Sequence, residues 1–159
     1  MTLLLVYVAI AIGVSFICSI MEAVLLSVTP AYIGALEENN PSASARLKEL
    51  KEDVDEPLSG ILTLNTFAHT VGATGAGAQA AAVFGDASVW IMSAVGLFSG
   101  VLTLGILILS EIIPKTIGAV YWKSLAPGVA SVLQSRLFRW PMLPIVRMSK
   151  GLTRMIARG

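Results

Sequence analysis

The chain is poor in the residues that most soluble chemistry needs. One cysteine, Cys18, and one histidine, His69, occur in 159 residues. An intrachain disulfide is therefore excluded, and no CxxC or Cys/His cluster exists to hold zinc or an iron-sulfur centre. Charged residues are only 13%, against about 25% in an ordinary soluble domain. The net charge of +1 supplies no basic field for a nucleic-acid partner. Neither GxxxxGK[ST] nor GxGxxG occurs, so no recognisable phosphate loop is present. What remains is apolar: 55% of residues are hydrophobic and the mean hydropathy is +0.80. Such a chain cannot be solvated on all sides, and the composition is that of a membrane protein.

Three stretches carry no Asp, Glu, Lys or Arg: Thr2 to Met21 (20 residues), Pro57 to Gly85 (29) and Ala87 to Ser110 (24). Crossing a hydrocarbon core of ~30 Å takes about 20 helical residues. The expected architecture is an all-α membrane protein with spans at about 2–28, 57–85 and 87–113. The first stretch lacks the basic n-region of a signal peptide and is too long for its apolar core. It is read as a retained helix.

Basic residues orient these spans. None precedes Glu22; Arg46, Lys48 and Lys51 lie between spans one and two, and the other eight follow span three. Both groups fall on the same side of a three-span protein, and the positive-inside rule makes that side cytoplasmic. The expected topology is multi-pass in the plasma (inner) membrane, N-terminus outside and C-terminus inside.

Between Pro30 and Glu56 lie seven of the ten acidic residues. Ile33, Leu36, Leu47 and Leu50 recur there at helical spacing, which predicts two short amphipathic helices broken at Asn39-Asn40-Pro41. Together they form a juxtamembrane segment at about 30–55. A second such segment is expected at about 124–158, where apolar residues alternate with arginines. Interfacial helices fit this stretch better than a further span, which would bury Arg136 or Arg139. A proline-broken fourth hairpin is the alternative.

Several residues do not belong in lipid. Glu22 and Glu111 lie near the inner ends of spans one and three. A carboxylate at mid-membrane costs ~2.5–3.5 kcal/mol on insertion scales and by default marks a functional site. The alternative is solvation at the headgroup level, and it is stronger for Glu22 than for Glu111, whose neighbours Leu107-Ile108-Leu109 and Ile112-Ile113 are apolar. Pro114 has no N–H, so the carbonyl of Ser110 loses its helical donor. A freed carbonyl beside a carboxylate suits a hard cation; an ordinary proline kink is the competing reading. Ser15, Ser19 and Glu22 share one helical face, as do Asn65 and His69. A buried Asn can also serve only helix–helix hydrogen bonding. Small residues, including Gly72, Ala76 and Ala80 and the Gly96–Gly100 pair, describe faces for close helix contact, within a subunit or across a dimer.

Ser19-Ile20-Met21-Glu22-Ala23, Asn65-Thr66 and Glu111-Ile112-Ile113-Pro114-Lys115, in this order on the three spans, resemble the transmembrane domain of the CNNM/CorC family of magnesium transporters. The resemblance covers nearly the whole chain. It implies a homodimer with three spans per subunit and a belt of juxtamembrane helices on the cytosolic side. It further implies a largely dehydrated magnesium ion held by Ser19, Asn65 and Glu111, with Glu22 in a supporting role. The Ser110 carbonyl is added from the proline geometry. Implied function is magnesium export with sodium coupling proposed; no enzymatic activity, resident cofactor or nucleic-acid partner is expected. Two departures stand out. Members place a second Asn where this chain has His69, a softer ligand that bears on ion selectivity. Members also continue into cytosolic CBS domains, whereas this chain stops at Gly159. Two competing functions remain: a membrane anchor or sensor that transports nothing, and a protease using Ser99 with His69.

Overall fold

A computed structural model describes residues 1–85, 87–89, 92–136, 138 and 139. The expected all-α architecture is what forms. The elements in chain order are α1 (Thr2–Ser27), α2 (Pro30–Asn39), α3 (Pro41–Glu52), α4 (Asp55–Phe84), β1 (Ser88–Val89), β2 (Met92–Ser93), α5 (Ala94–Gly105), a π-helical segment (Ile106–Ile112), α6 (Ile113–Val120) and α7 (Trp122–Leu133). Of the expected C-terminal juxtamembrane segment, positions 137 and 140–158 lie outside the described residues.

Two of these stretches, Thr2–Ser27 and the continuous Ala94–Val120, are long and apolar enough to cross a bilayer. The 30-residue α4 has the length, but Asn65, His69, Gln79 and its threonines and glycines make it less apolar. Span three was expected to begin at 87; instead β1 pairs antiparallel with β2, Ser88 opposite Ser93 and Val89 opposite Met92. The helix starts only at Ala94, where the Ser93 hydroxyl oxygen accepts the Gly96 N–H at 3.1 Å and caps it. Before the hairpin, Gly85 ends α4 at φ +53°, a left-handed conformation that glycine adopts without a Cβ penalty.

The chain divides into two compact units. The first comprises Met1–Ile20 and Leu64–Ile117. In it α4 lies against α1 with almost no space between them. A Cβ placed on Gly72 would come within 2.5 Å of the Ala11 Cβ, and one on Gly75 would strike the Tyr7 ring. Ala11, Ala68, Ala76 and Ala80 are buried in this unit, so small side chains are what permit the approach. Gly100 has open space where a Cβ would stand. Large apolar side chains face outward, among them Leu3, Leu5, Phe67, Val101, Leu104 and Ile112. An outer surface this apolar needs an apolar solvent.

The second unit comprises Met21–Thr63 and Gly118–Gly159. The predicted break at Asn39-Asn40-Pro41 separates α2 from α3: Asn40 accepts the Ala43 N–H at 3.1 Å, and Pro41 occupies the first helical turn. Leu47 and Leu50 are buried as expected, whereas α2 has no fully buried residue. Polar contacts tie α3 to the end of α7 and beyond. Gln134 donates to Glu49 at 2.7 Å, and Arg139 stands 3.6 Å from the same carboxylate.

Candidate functional site

Three elements of the first unit present polar side chains to one another: α1, α4 and the π-helical segment. On α1 the i, i+4 spacing of Ser15 and Ser19 puts both hydroxyls on one face. On α4 the same spacing aligns Asn65 and His69. Ser15, Ser19 and Ser110 are fully buried and Asn65 is 8% exposed, so each must find a partner within the protein.

They do. The Ser15 hydroxyl donates to Asn65 Oδ1 at 2.5 Å, and the Ser19 hydroxyl donates to the Ser110 carbonyl at 2.7 Å. Ser15 also stands 3.4 Å from that carbonyl. A hydroxyl has one proton to give, and the shorter bond to Asn65 takes it.

The expected proline effect takes a specific form. Instead of a simple kink, residues Ile106–Ile112 are π-helical, and the Ile113 N–H reaches back to the Ile108 carbonyl, five residues earlier. Pro114 would have been the α-helical donor to Ser110, and it has no N–H. The Ser110 carbonyl accepts instead from the Ser19 hydroxyl of α1. Short π segments are rare and frequent at functional sites.

Beyond Ser110 the cluster reaches its two titratable members. The Ser110 hydroxyl donates to the Ile106 carbonyl at 2.6 Å, and His69 Nε2 lies 3.4 Å from its Oγ. His69 Nδ1 faces Glu111 Oε1 at 3.7 Å, with the two side chains 23% and 33% exposed.

Of the five residues singled out from sequence, Ser19, Asn65, Ser110 and Glu111 come together in the first unit. Glu22 follows Ser19 by three residues on α1 and is half-buried, and it belongs to the second unit. Ser15, on the same serine face, joins the cluster through Asn65 although it is not among the five expected donors. Its spacing from Ser19 was the available signal. The Ser99 hydroxyl is occupied by the Val95 carbonyl of its own helix at 2.9 Å.

Chemically, the cluster offers hydroxyl oxygens, an amide oxygen, a carbonyl and a carboxylate, the hard donors that suit magnesium or calcium. Among the described residues no three His, Cys, Asp or Glu side chains are grouped to hold a metal. Neutral oxygens therefore make up most of the donor set, with Glu111 as its anion.

A family model described as the cyclin M (CNNM) transmembrane N-terminal domain matches residues 6–159 of the chain. The UPF0053 protein sll1254 of Synechocystis sp. is 36% identical over 146 residues, which is 91% of this chain. The chain spans 40% of that relative's length.

Proposed function

The chain belongs to the CNNM transmembrane-domain family, and on that footing we propose that it moves a divalent cation, magnesium, across the membrane. One observation carries the reading: four buried or nearly buried oxygen-bearing residues from three helical elements, Ser15, Ser19, Asn65 and Ser110, converge, and Glu111 follows Ser110 in the chain with its carboxylate 3.7 Å from His69 Nδ1. Magnesium takes six oxygens and sheds water reluctantly. Loss of hydration inside lipid has to be offset by an anion, and Glu111 is the anion at hand. Ser15, Ser19, Asn65 and the Ser110 carbonyl supply neutral oxygens once their mutual hydrogen bonds open.

In this reading the chain crosses the bilayer three times, with α4 as the middle span. The N-terminus lies outside and the C-terminus inside, in the plasma membrane, and two copies pair. Transport runs outward with sodium coupling. Glu22, on the same helix as the serines, supports the inner end of the path. No catalytic chemistry is involved. Cytosolic CBS domains, if they accompany this domain, regulate it.

Magnesium flux in proteoliposomes tests this. Glu111→Gln keeps the shape and removes the charge; flux should fall to background while the purified protein still melts cooperatively. Undiminished flux through that variant overturns the assignment. A protein that moves no divalent cation, and whose melting is indifferent to magnesium, is a membrane anchor or sensor instead.

A further inference from the structure

A second proline frees a second carbonyl, this time in the second unit. Pro127 lies inside α7, four residues after Lys123, so the Lys123 carbonyl has no helical donor. The Tyr32 hydroxyl of α2 donates to it at 2.5 Å. The Tyr32 ring meets Trp122 edge-on, with centroids 4.9 Å apart and planes at 72°. The Lys123 ammonium stands 5.6 Å from the centroid of the same indole, within cation–π range. Trp122 is thus held by one aromatic and one cationic neighbour. Side chains ordered in advance lose less entropy when something binds them.

What the cluster faces follows from its place in the chain. It begins where the Ala94–Val120 helix, long and apolar enough to cross a bilayer, comes to its end. Val120 is 65% exposed and Tyr121 60%, and Lys123 is exposed as well. Exposed apolar and aromatic side chains at the end of such a helix continue its lipid-facing surface, and Trp and Tyr collect at the level of the headgroups. Two donors are left over. Among the described residues neither the Lys123 ammonium nor the Trp122 indole N–H has a hydrogen-bond or ion-pair partner. Neighbouring ammonium and N–H donors match the oxygens of a phosphodiester, and the positive charge favours a lipid of net negative charge.

We propose that Trp122 and Lys123 form a binding site for the phosphate of an anionic phospholipid, at the membrane boundary where the Ala94–Val120 helix ends. The site requires only that the chain sits in a bilayer and is independent of what it transports.

Trp90→Phe with Trp140→Phe leaves Trp122 as the sole tryptophan of the full chain, and quenching of its fluorescence by brominated lipids tests the site. In phosphatidylcholine bilayers, bromines near the headgroup should quench Trp122 more than bromines near the chain ends. In equal mixtures of phosphatidylglycerol and phosphatidylcholine, brominated one at a time, quenching should show about fivefold enrichment of phosphatidylglycerol around Trp122. Lys123→Gln should bring the two lipids to parity and leave the depth unchanged. Absence of quenching by either lipid places Trp122 against water, a second copy or another protein, and overturns the proposal. So does parity with Lys123 present, or an enrichment that survives Lys123→Gln. Enrichment abolished by inorganic phosphate at constant ionic strength makes the site one for the free anion and overturns the lipid assignment. Should the tryptophan variant fail to fold, native mass spectrometry of wild type and Lys123→Gln released from the same mixed bilayers decides. The variant should retain one phosphatidylglycerol fewer, and equal retention overturns the site.

Discussion

The Ser19 hydroxyl donates a 2.7 Å hydrogen bond to the carbonyl of Ser110, the oxygen whose α-helical donor position is occupied by Pro114. A missing N–H in one helix is thus made good by a side chain of another. This contact joins α1 to the π-helical segment through atoms that a cation would also use, so stability and ion binding draw on the same oxygens.

Ser19→Ala leaves that buried carbonyl without its short hydrogen bond. A loss of about 1–3 kcal/mol is expected for an unsatisfied buried group, seen as a lower melting temperature in detergent. Magnesium should restore part of it, because the cation substitutes for the lost proton donor.

Ser15 and Asn65 form the second buried pair. Asn65→Leu alone strands the Ser15 hydroxyl and should destabilise by about 1–3 kcal/mol, whereas the double variant Ser15→Ala with Asn65→Leu should recover much of that. Cation-induced stabilisation should be lost in both. Simple additivity in the melting data would show that the two residues do not act as a pair.

Pro114→Ala returns an N–H to the helix. The Ser110 carbonyl can then be served from within its own helix, so thermal stability should hold or rise. The shift in melting temperature produced by magnesium should shrink, since the carbonyl is withdrawn from the cluster. An unchanged magnesium response would mean that this carbonyl is no ligand.

Gly72→Leu puts a branched side chain where even a Cβ would meet Ala11 at 2.5 Å. Overpacking of this kind costs typically about 1–3 kcal/mol or more, and here the obstacle includes backbone. Gly100→Leu, where nothing stands within 4 Å, should be tolerated by the isolated subunit. Comparison of the two by expression level and melting temperature separates packing within the chain from any packing between copies.

Much of this was legible in the primary structure because its causes are local. Charge-free runs set α1 and the long Ala94–Val120 helix, Asn40-Pro41 set the break between α2 and α3, and Pro114 marked the carbonyl of Ser110. The start of α5 at Ala94 was not legible, because a two-residue ladder and the Ser93 cap decide it. Neither was the π segment, which depends on where a released carbonyl can find donors.

Residue types and their periodicity already determined that this chain is helical, apolar on its outside, and burdened with a few oxygens and two carboxylates, Glu22 and Glu111, that lipid alone would not tolerate. Helical spacing says which side chains share a face, since that follows from 3.6 residues per turn. It does not say which faces meet. Ser15 rather than Ser19 bonds Asn65 because helix approach at Gly72 and Gly75 fixes the register of α1 against α4, while His69 faces Glu111 through the separate packing of α4 against the π-helical segment. Register between distant segments is a property of packing, and only the folded chain possesses it.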